Sequence, residues 1–132
     1  METLKVSTSG RTDLKDITGE VASVVGRSGL DEGACIVYVP HTTAGVTINE
    51  NADPAVRDDI ASTLEHMVPW KGHYLHSEGN SAAHLKATLV GFSVTIPVSS
   101  GRLVLGTWQG IYFCEFDGPR TRSAHVLLLP GR

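Results

Sequence analysis

Hydrophobic and polar residues alternate at the start of the chain and follow a helical period soon after. Leu4 and Val6 alternate with polar neighbours, which predicts a first strand with one exposed face. Four apolar residues then recur at the spacing of one helix face, namely Ile17, Val21, Val24 and Val25. Gly29 is placed to end that helix, since a C-terminal cap favours a left-handed residue. Short apolar runs over 34–39 and 46–48 predict two further strands.

The strongest helix signal begins at Asp53, which can cap the free amides, and Pro54, which fits the first helical position. One face of this helix carries Val56, Ile60, Thr63, Leu64 and Met67. Residues 68–80 are polar and aperiodic, and they predict a long loop of the kind that is often functional. A further helix is predicted over 81–89, with Gly91 as its stop.

The last third of the chain is rich in short β-type runs. Strands are predicted over 93–98, 102–105, 111–116 and 124–129, with a hairpin turn at residues 99–101. Sequential strands joined by short turns favour a mainly antiparallel sheet, here layered with two to three helices. The prediction is therefore a single compact α+β domain over residues 1–132.

Length and charge narrow the classes of function. The chain has 132 residues, with 11 Lys and Arg against 14 Asp and Glu, for a formal net charge of -3. Proteins that bind nucleic acid usually have the opposite balance, so we expect no nucleic-acid partner. The apolar runs are far shorter than the ~20 residues of a membrane-spanning helix, and no secretory leader follows Met1. We therefore expect a cytoplasmic protein with no membrane partner.

The sequence lacks several signatures of nucleotide and hydrolase chemistry. It contains no phosphate-binding loop, no dinucleotide-binding Gly-x-Gly-x-x-Gly and no Gly-x-Ser-x-Gly elbow. Cys35 and Cys114 each lie inside an apolar run, which favours two buried free thiols over a disulfide or a nucleophile.

Three histidines stand where predicted strands end or helices begin, positions from which a scaffold can aim side chains into a cleft. His41 follows the strand over 34–39, His76 lies in the long loop, and His84 lies in the first turns of the next helix. Neutral imidazoles around an open position are typical of catalytic zinc, and they also suit iron, nickel or copper. Their spacing matches no compact metal signature, so a hydrogen-bonded structural role is the alternative for each.

Two polar segments flank the strand predicted over 46–48. Thr42 and Thr43 offer hydroxyls in a loop whose amides could cradle an anion, or they form a plain turn. Asn49 and Glu50 precede the capped helix. Glu50 is a general base, an outer-sphere metal partner, or a member of a hydrogen-bonded cluster without a ligand.

Further candidates lie among the last strands. Trp108 and Gln109 interrupt two of them, and Trp108 either packs in the core or forms a wall for a planar ring. Arg120 and Arg122 could clamp a phosphate or carboxylate, although a surface position without a partner is the default for Arg122. Glu115 stands in an apolar strand, so its carboxylate should face solvent or have a partner.

Five blocks of sequence, taken together and in order, closely resemble the YjbQ-like family, also called secondary thiamine-phosphate synthase enzymes. The resemblance covers essentially the whole chain. The blocks are His41 to Gly45, Asn49 to Pro54, His76 to Lys86, Gly101 to Gln109 and Glu115 to Arg120.

The resemblance implies a small α+β protein that assembles as a homotrimer, with pockets near the subunit boundaries. It implies that His41, His76 and His84 gather around a metal or an anion, and a divalent ion such as zinc or another transition metal is the expected cofactor. His73 lies so close to His76 that either could be the ligand of the loop. The implied thiamine-phosphate synthase activity, a transferase reaction, is weak and secondary, so the main reaction stays open.

Two hypotheses of function follow. In the first, the protein is an enzyme on a small phosphorylated molecule, with Glu50 or Glu78 as the catalytic residue that moves a proton. A histidine-rich site suits metal-dependent phosphate-ester hydrolysis better than pyrophosphate transfer, which usually recruits magnesium through oxygen ligands. The substrate would be held by Thr42, Thr43, Asn49, Asn80, Trp108, Gln109 and Arg120. In the second, a non-catalytic homotrimer binds a metal or a small anion with the same residues.

Overall fold

Two antiparallel sheets and three helices form from residues 1–131, which are the residues that the structure, a computed structural model, describes. In chain order the elements are β1 (Glu2–Ser7), β2 (Asp13–Asp16), α1 (Thr18–Ser28), β3 (Gly33–Tyr38), β4 (Ala44–Glu50), α2 (Pro54–Met67), α3 (Ser81–Val90), β5 (Ser93–Ser99), β6 (Arg102–Leu103), β7 (Gln109–Glu115) and β8 (Thr121–Pro130). The predicted α+β class is confirmed. Residue 132, the predicted end of the domain, lies outside the described residues.

The two sheets come together near one end of the molecule, where the chain passes from one to the other. The larger sheet has the order β1-β8-β3-β5-β6, and the smaller sheet has the order β2-β7-β4. In the larger sheet Tyr38, at the end of β3, lies opposite His125. In the smaller sheet Ala44, at the start of β4, lies opposite Glu115. Residues 39–43 run from one sheet to the other, so side chains of both sheets meet there.

β7 is buried on both faces because a separate core lies on each side of the smaller sheet. Ile111 and Phe113 point into a core shared with the larger sheet and with α1. Tyr112 and Cys114 point to the other side, into a second core that α2 and α3 cover. The helix face predicted for α1 is confirmed, since its buried residues are Val21, Val24 and Val25. The smaller sheet is thus the middle layer, between the larger sheet and the α2–α3 pair.

The structure differs from the predictions at β2 and α2. β2 was not predicted because Leu14 is its only apolar residue, and pairing with β7 rather than its own pattern makes it a strand. The apolar face predicted for α2 is only partly covered, and Met67 remains 64% exposed. Throughout α2, which lies wholly in the described chain, no residue is fully buried. α2 therefore packs at the margin of the second core rather than across it.

The two thiols are inert. Cys35 and Cys114 are buried and free within the described chain, as predicted. Burial raises the pKa of Cys35 to about 11 and the pKa of Cys114 to about 12, so neither forms a thiolate near neutral pH.

The helices of residues 1–131 include none with both the length and the apolar character that crossing a membrane requires.

Candidate functional site

A cleft of about 810 Å³ opens where the larger sheet meets the loop that precedes α3. Its walls come mainly from residues 38–43 between the sheets, residues 76–84 around the start of α3, and residues 117–122 between β7 and β8. These three segments are distant in sequence, and the strand pairing brings them together. The cleft contains all three of the predicted histidines, His41, His76 and His84, whereas His73 does not line it.

His41 is held by the backbone of β8. The amide of Ser123 donates a hydrogen bond to Nε2 of His41 over 3.0 Å. Burial lowers the pKa of His41, and the nearby Arg122 cation lowers it further, so the ring is neutral near neutral pH. A neutral imidazole whose Nε2 accepts a hydrogen bond carries its proton on Nδ1. His41 therefore offers the cleft a hydrogen-bond donor.

His76 and His84 form a pair at the mouth of the cleft. Their ring centroids lie 5.2 Å apart and their planes are nearly perpendicular, at 89°. Nε2 of His76 also lies 3.8 Å from Oε2 of Glu78, a side chain that is 73% exposed. The loop and the start of α3 thus place two imidazoles and one carboxylate side by side in the wall of the cleft.

The three histidines do not form a closed set of metal ligands within the described chain. In the part of the chain that the structure describes, no group of three His, Cys, Asp or Glu side chains is arranged to hold an ion. A histidine that binds a metal normally donates its other N–H to an acceptor. His41 has the reverse arrangement, because its Nε2 accepts from Ser123. His41 suits an anion, and only His76 and His84 suit a cation.

Arg122 is buried beneath the cleft, which corrects the expectation of a surface arginine without a partner. It is 4% exposed, and its partner is the fully buried Glu115, whose carboxylate was expected either to face solvent or to have a partner. Nε of Arg122 donates to Oε1 of Glu115 over 2.8 Å, and Nη2 donates to Oε2 over 2.5 Å. Nη2 also donates to the hydroxyl of Thr43 over 2.7 Å. The pair therefore ties β7 and β8 to the loop before β4.

Glu115 remains ionised despite its burial. Burial by itself would raise the pKa of Glu115, but the hydrogen bonds from Arg122, from the amide of Asp117 and from Thr8 together hold it below its usual value. The hydroxyl of Thr8 lies 2.9 Å from Oε1, and the amide of Asp117 lies 3.0 Å from Oε2. Each carboxylate oxygen thus accepts more than one hydrogen bond, as a buried carboxylate requires.

Arg120 is oriented towards the cleft by Asp117. Nε of Arg120 donates to the Asp117 carbonyl over 2.9 Å, and Nη2 donates to Oδ2 over 3.2 Å. Asn80 donates from Nδ2 to the same Oδ2 over 2.9 Å. Among the described residues, Oδ1 of Asn80 is a buried acceptor without a hydrogen-bond partner. A ligand in the cleft therefore meets a half-exposed guanidinium, and the buried Oδ1 of Asn80 still lacks a donor.

The two threonines of the first block have different roles. Thr43 is buried, and its hydroxyl is occupied by Arg122, so it supports the wall of the cleft. Thr42 is exposed and lines the cleft, where its hydroxyl can reach a ligand. The sequence did not distinguish them because both are polar residues of one loop.

Four other candidates lie at the opposite end of the smaller sheet. Glu50 pairs with Gln109 at that end, whereas Ala44 pairs with Glu115 at the cleft. The length of β4, about 20 Å for a seven-residue strand, separates the two ends. The group consists of Asn49, Glu50, Trp108 and Gln109. Trp108 is 63% exposed, so the interpretation as a core residue is wrong.

Several residues that line the cleft were not among the candidates from the sequence. Asp117 lies within the last of the five blocks but was given no role of its own, although an aspartate three residues before an arginine is a signal for an orienting ion pair. Tyr38 and Phe92 also line the cleft. Nothing in their own segments marks them, because each is an apolar or aromatic residue at the border of a strand.

Comparison with known proteins gives consistent matches over the whole chain. Residues 2–131 match a family model described as UPF0047 protein YjbQ-like. UPF0047 protein YugU of Bacillus subtilis is 50% identical over 131 residues, which cover 98% of each chain. UPF0047 protein MJ1081 of Methanocaldococcus jannaschii is 50% identical over 125 residues, covering 95% of this chain and 91% of its own.

Solved structures with the same fold match equally well. A conserved protein of the YjbQ/UPF0047 family from Clostridium acetobutylicum has a TM-score of 0.96 at 50% identity, covering 98% of this chain and 100% of its own. A YbjQ-like protein of unknown function from Sulfolobus solfataricus has a TM-score of 0.95 at 35% identity, covering 98% and 96%.

Proposed function

This chain belongs to the UPF0047 protein YjbQ-like family, and on that premise we propose that its cleft binds and transforms a small phosphorylated molecule. The observation that carries the proposal is that His41, Arg120 and His84 line one cleft. A phosphate group needs several donors, and Arg is the side chain best suited to bind two of its oxygens together. His41 adds a neutral donor whose proton is fixed on Nδ1 by the Ser123 amide.

The proposed chemistry is one of two reactions. In phosphate-ester hydrolysis, water attacks phosphorus and the alcohol leaves with the bridging oxygen, which takes a proton. In the weak thiamine-phosphate synthase reaction, the thiazole nitrogen bonds to the pyrimidine's methylene carbon and pyrophosphate leaves that carbon. In both, negative charge develops on the oxygen of the bond that breaks. Donors that are already oriented stabilise such charge without further rearrangement. Arg120 and His41 would serve this role, while Asn80 would accept a hydrogen bond from a hydroxyl or amine of the substrate.

Glu78 is the proposed proton-transfer group of the cleft, and His76 shares this role only in the form of the protein in which it binds no metal ion. The carboxylate lies 3.8 Å from the imidazole, and both side chains are accessible to a ligand. Histidine is the residue that exchanges protons most readily near neutral pH. Glu50 would act at this cleft only if a neighbouring subunit supplied it, because it lies at the far end of β4.

The phosphate proposal predicts that Arg120→Ala weakens the binding of inorganic phosphate by about 10-fold or more, the usual loss for a charged hydrogen-bond donor. Titration calorimetry measures the affinity, and Arg102→Ala, an exposed arginine of β6, is the matched control. Equal affinity in the wild type and Arg120→Ala would contradict the proposal.

A second experiment distinguishes an enzyme from a non-catalytic binding module. An enzyme should hydrolyse 4-nitrophenyl phosphate, and Glu78→Gln should lose this turnover while it still binds inorganic phosphate.

A divalent metal ion, zinc or another transition metal, is a further part of the proposal. His76 and His84 would hold it, with the remaining positions open to water or substrate. When bound, such an ion would supply Lewis-acid polarisation of a phosphate oxygen. His41 is left out of the ligand set because its Nε2 is engaged by Ser123.

The metal proposal predicts about one metal ion per chain in protein purified without chelators. Elemental analysis should find this metal lost in His84→Ala and retained in His66→Ala, a histidine exposed on α2. Retention of the metal in His84→Ala, or its absence from the wild type, would refute this part of the proposal and leave the anion site to stand alone.

Assembly as a homotrimer, which the family resemblance implied, is also proposed. The outer face of the larger sheet supports an assembly, because Leu127 and Leu129 are 39% and 45% exposed and lie opposite Ile36 and Ala34 of β3. Exposed apolar faces of this kind often mark protein contacts. Sedimentation equilibrium would measure the assembly state, and a monomeric protein would exclude the proposed homotrimer.

A cytoplasmic location without nucleic-acid or membrane partners stays a prediction.

A further inference from the structure

The chain leaves β1 through a threonine whose side chain points into the protein. Thr8 lies two residues after Val6, so the alternation of the strand puts both side chains on the same face, and both are buried. Thr8 was not among the candidates from the sequence, and it is not one of the residues that line the cleft. A hydroxyl at a position where the alternation expects an apolar side chain needs hydrogen-bond partners.

The partners of Thr8 are Glu115 and the backbone of Arg120. The hydroxyl lies 2.9 Å from Oε1 of Glu115, and the amide of Arg120 lies 2.9 Å from the same hydroxyl oxygen. A hydroxyl has one proton and two lone pairs, so it donates to the carboxylate and accepts from the amide. The carbonyl of Arg120 is also 2.9 Å from the hydroxyl, but it accepts from the amide of Thr8 over 3.0 Å. Thr8 therefore holds both backbone polar groups of Arg120.

The side chain of Arg120 is held through the same buried carboxylate. The amide of Asp117 donates to Oε2 of Glu115 over 3.0 Å. Asp117 in turn accepts from the Arg120 guanidinium with its carbonyl and with Oδ2. One oxygen of Glu115 thus anchors the backbone of Arg120 through Thr8, and the other anchors its guanidinium through Asp117.

Close packing at Gly118 keeps the turn that carries Arg120 against the segment after β1. A Cβ at Gly118 would lie 2.8 Å from the hydroxyl oxygen of Thr8, a distance that side chains do not adopt. The amide of Gly118 donates to the carbonyl of Arg11 over 3.1 Å. The two segments are therefore in direct backbone contact, and the position of Thr8 determines the position of the turn.

We infer that Thr8 is a positioning residue of the cleft, whose hydroxyl fixes the backbone of Arg120 on the buried Glu115 and so sets the direction in which the guanidinium enters. This rests on the proposed phosphate site and adds a residue that acts on it without touching the ligand. The Arg120 side chain is 49% exposed, and ordering a free arginine when a ligand binds would cost affinity. Because both ends of Arg120 are held, the guanidinium is oriented before the ligand arrives.

Thr8→Val tests the inference, because valine keeps the shape of threonine and lacks its hydroxyl. This variant should bind inorganic phosphate about 10-fold more weakly than the wild type in titration calorimetry, the effect of about one hydrogen bond. Thr8→Ser keeps the hydroxyl and should keep the wild-type affinity. Thr12→Val is the matched control, because it removes a nearby hydroxyl that donates to Glu65 over 3.0 Å. If valine prevents folding at position 8, Thr8→Ala should show the same loss.

Two outcomes of this titration would overturn the inference. A loss of affinity in Thr8→Ser equal to that in Thr8→Val would show that the hydroxyl is not the group that matters. A loss of the same size in Thr12→Val would show that any lost hydroxyl of this segment weakens the cleft. Urea unfolding of each variant confirms that the proteins compared are folded.

A double-mutant cycle asks whether the effect passes through Arg120. In Arg120→Ala protein, Thr8→Val should cause no further loss of phosphate affinity, because the guanidinium that Thr8 positions is absent. Equal losses in the wild-type and Arg120→Ala backgrounds would show that Thr8 acts by another route, and the inference would fail.

Hydrogen exchange at Arg120 tests the positioning without any ligand. Nε of Arg120 donates to the carbonyl of Asp117, so its proton should exchange slowly with water. Nuclear magnetic resonance measures this rate, and Arg120→Ala identifies the signal by its loss. Exchange should be faster in Thr8→Val and unchanged in Thr8→Ser, whereas equal rates in all three proteins would overturn the inference. Failure of the wild type to bind phosphate would overturn the proposed function, and the exchange rates would still decide whether Thr8 orients Arg120.

Discussion

Replacing Arg122 with methionine is expected to lower the free energy of unfolding by about 3–5 kcal/mol, the usual cost of removing one partner from a buried ion pair. Glu115 is fully buried, and Arg122 supplies hydrogen bonds to both of its carboxylate oxygens. Methionine would fill much of the volume and leave the carboxylate without its cation. Urea unfolding monitored by circular dichroism measures the loss.

Two further variants make this prediction specific to the pair. Arg102→Met removes an exposed arginine of β6 and should cost less than about 0.5 kcal/mol. Arg122→Met combined with Glu115→Leu should recover much of the loss, because no buried charge is then left unpaired. A cost below about 1 kcal/mol for Arg122→Met alone would show that Glu115 is solvated and that the pair is not buried in solution.

The pH dependence of stability should reverse in Arg122→Met. The folded protein holds the pKa of Glu115 below its usual value, so the ion pair contributes stability above the ordinary glutamate pKa of about 4.3. That contribution is lost as the pH falls through the lower, folded pKa. In Arg122→Met, burial without the guanidinium should instead raise the pKa of Glu115, so lowering the pH protonates it and recovers stability. Urea unfolding of the wild type and Arg122→Met at about pH 7 and about pH 4 measures whether the stability of each protein falls or rises as the pH is lowered.

Gly45→Ala is expected to destabilise the protein by about 3 kcal/mol, at the upper end of the usual cost of overpacking. A Cβ at Gly45 would lie 2.4 Å from the carbonyl oxygen of Gly91 and 3.3 Å from Cγ1 of Val90. The carbonyl cannot easily move, because it accepts a hydrogen bond from the amide of Val46 over 3.1 Å. β4 and the end of α3 would have to separate.

The separation should also affect the cleft, since β4 follows Thr43 and α3 carries His84. Thermal unfolding measures the stability, and phosphate titration measures the cleft. Gly26→Ala is the control, because nothing lies within 4 Å of its Cβ and alanine favours the interior of α1. It should leave stability unchanged or raise it by up to about 1 kcal/mol. Equal stability of Gly45→Ala and the wild type would show that β4 and α3 are less closely packed in solution.

Features that depend on neighbouring residues were predicted from the sequence. The apolar period of α1 identified its buried face because helical spacing itself determines which side chains share a side. The cap of α2 was predicted because a capping side chain bonds to an amide only two residues further along the chain. Asp53 accepts this hydrogen bond from the amide of Ala55 over 2.9 Å. For Glu115 the apolar strand left two alternatives, exposure to solvent or a partner, and the structure shows a partner.

Features that depend on distant segments could not be predicted. β2 is a strand only because β7 pairs with it, and its own four residues lack an apolar period. The partly covered face of α2 also depends on where the helix meets the second core. Both outcomes are set by packing between elements that lie far apart in the chain.

The same division applies to the candidate site. The sequence by itself determined its chemical inventory: imidazoles at His41, His76 and His84, and a guanidinium at Arg120. Only the tertiary structure decided which of these act together. Antiparallel pairing of β4 with β7 places Glu50 and Gln109 at the end away from the cleft, and β8 brings Ser123 to His41. These contacts join residues that lie far apart in the chain, so neither local spacing nor residue type could specify them.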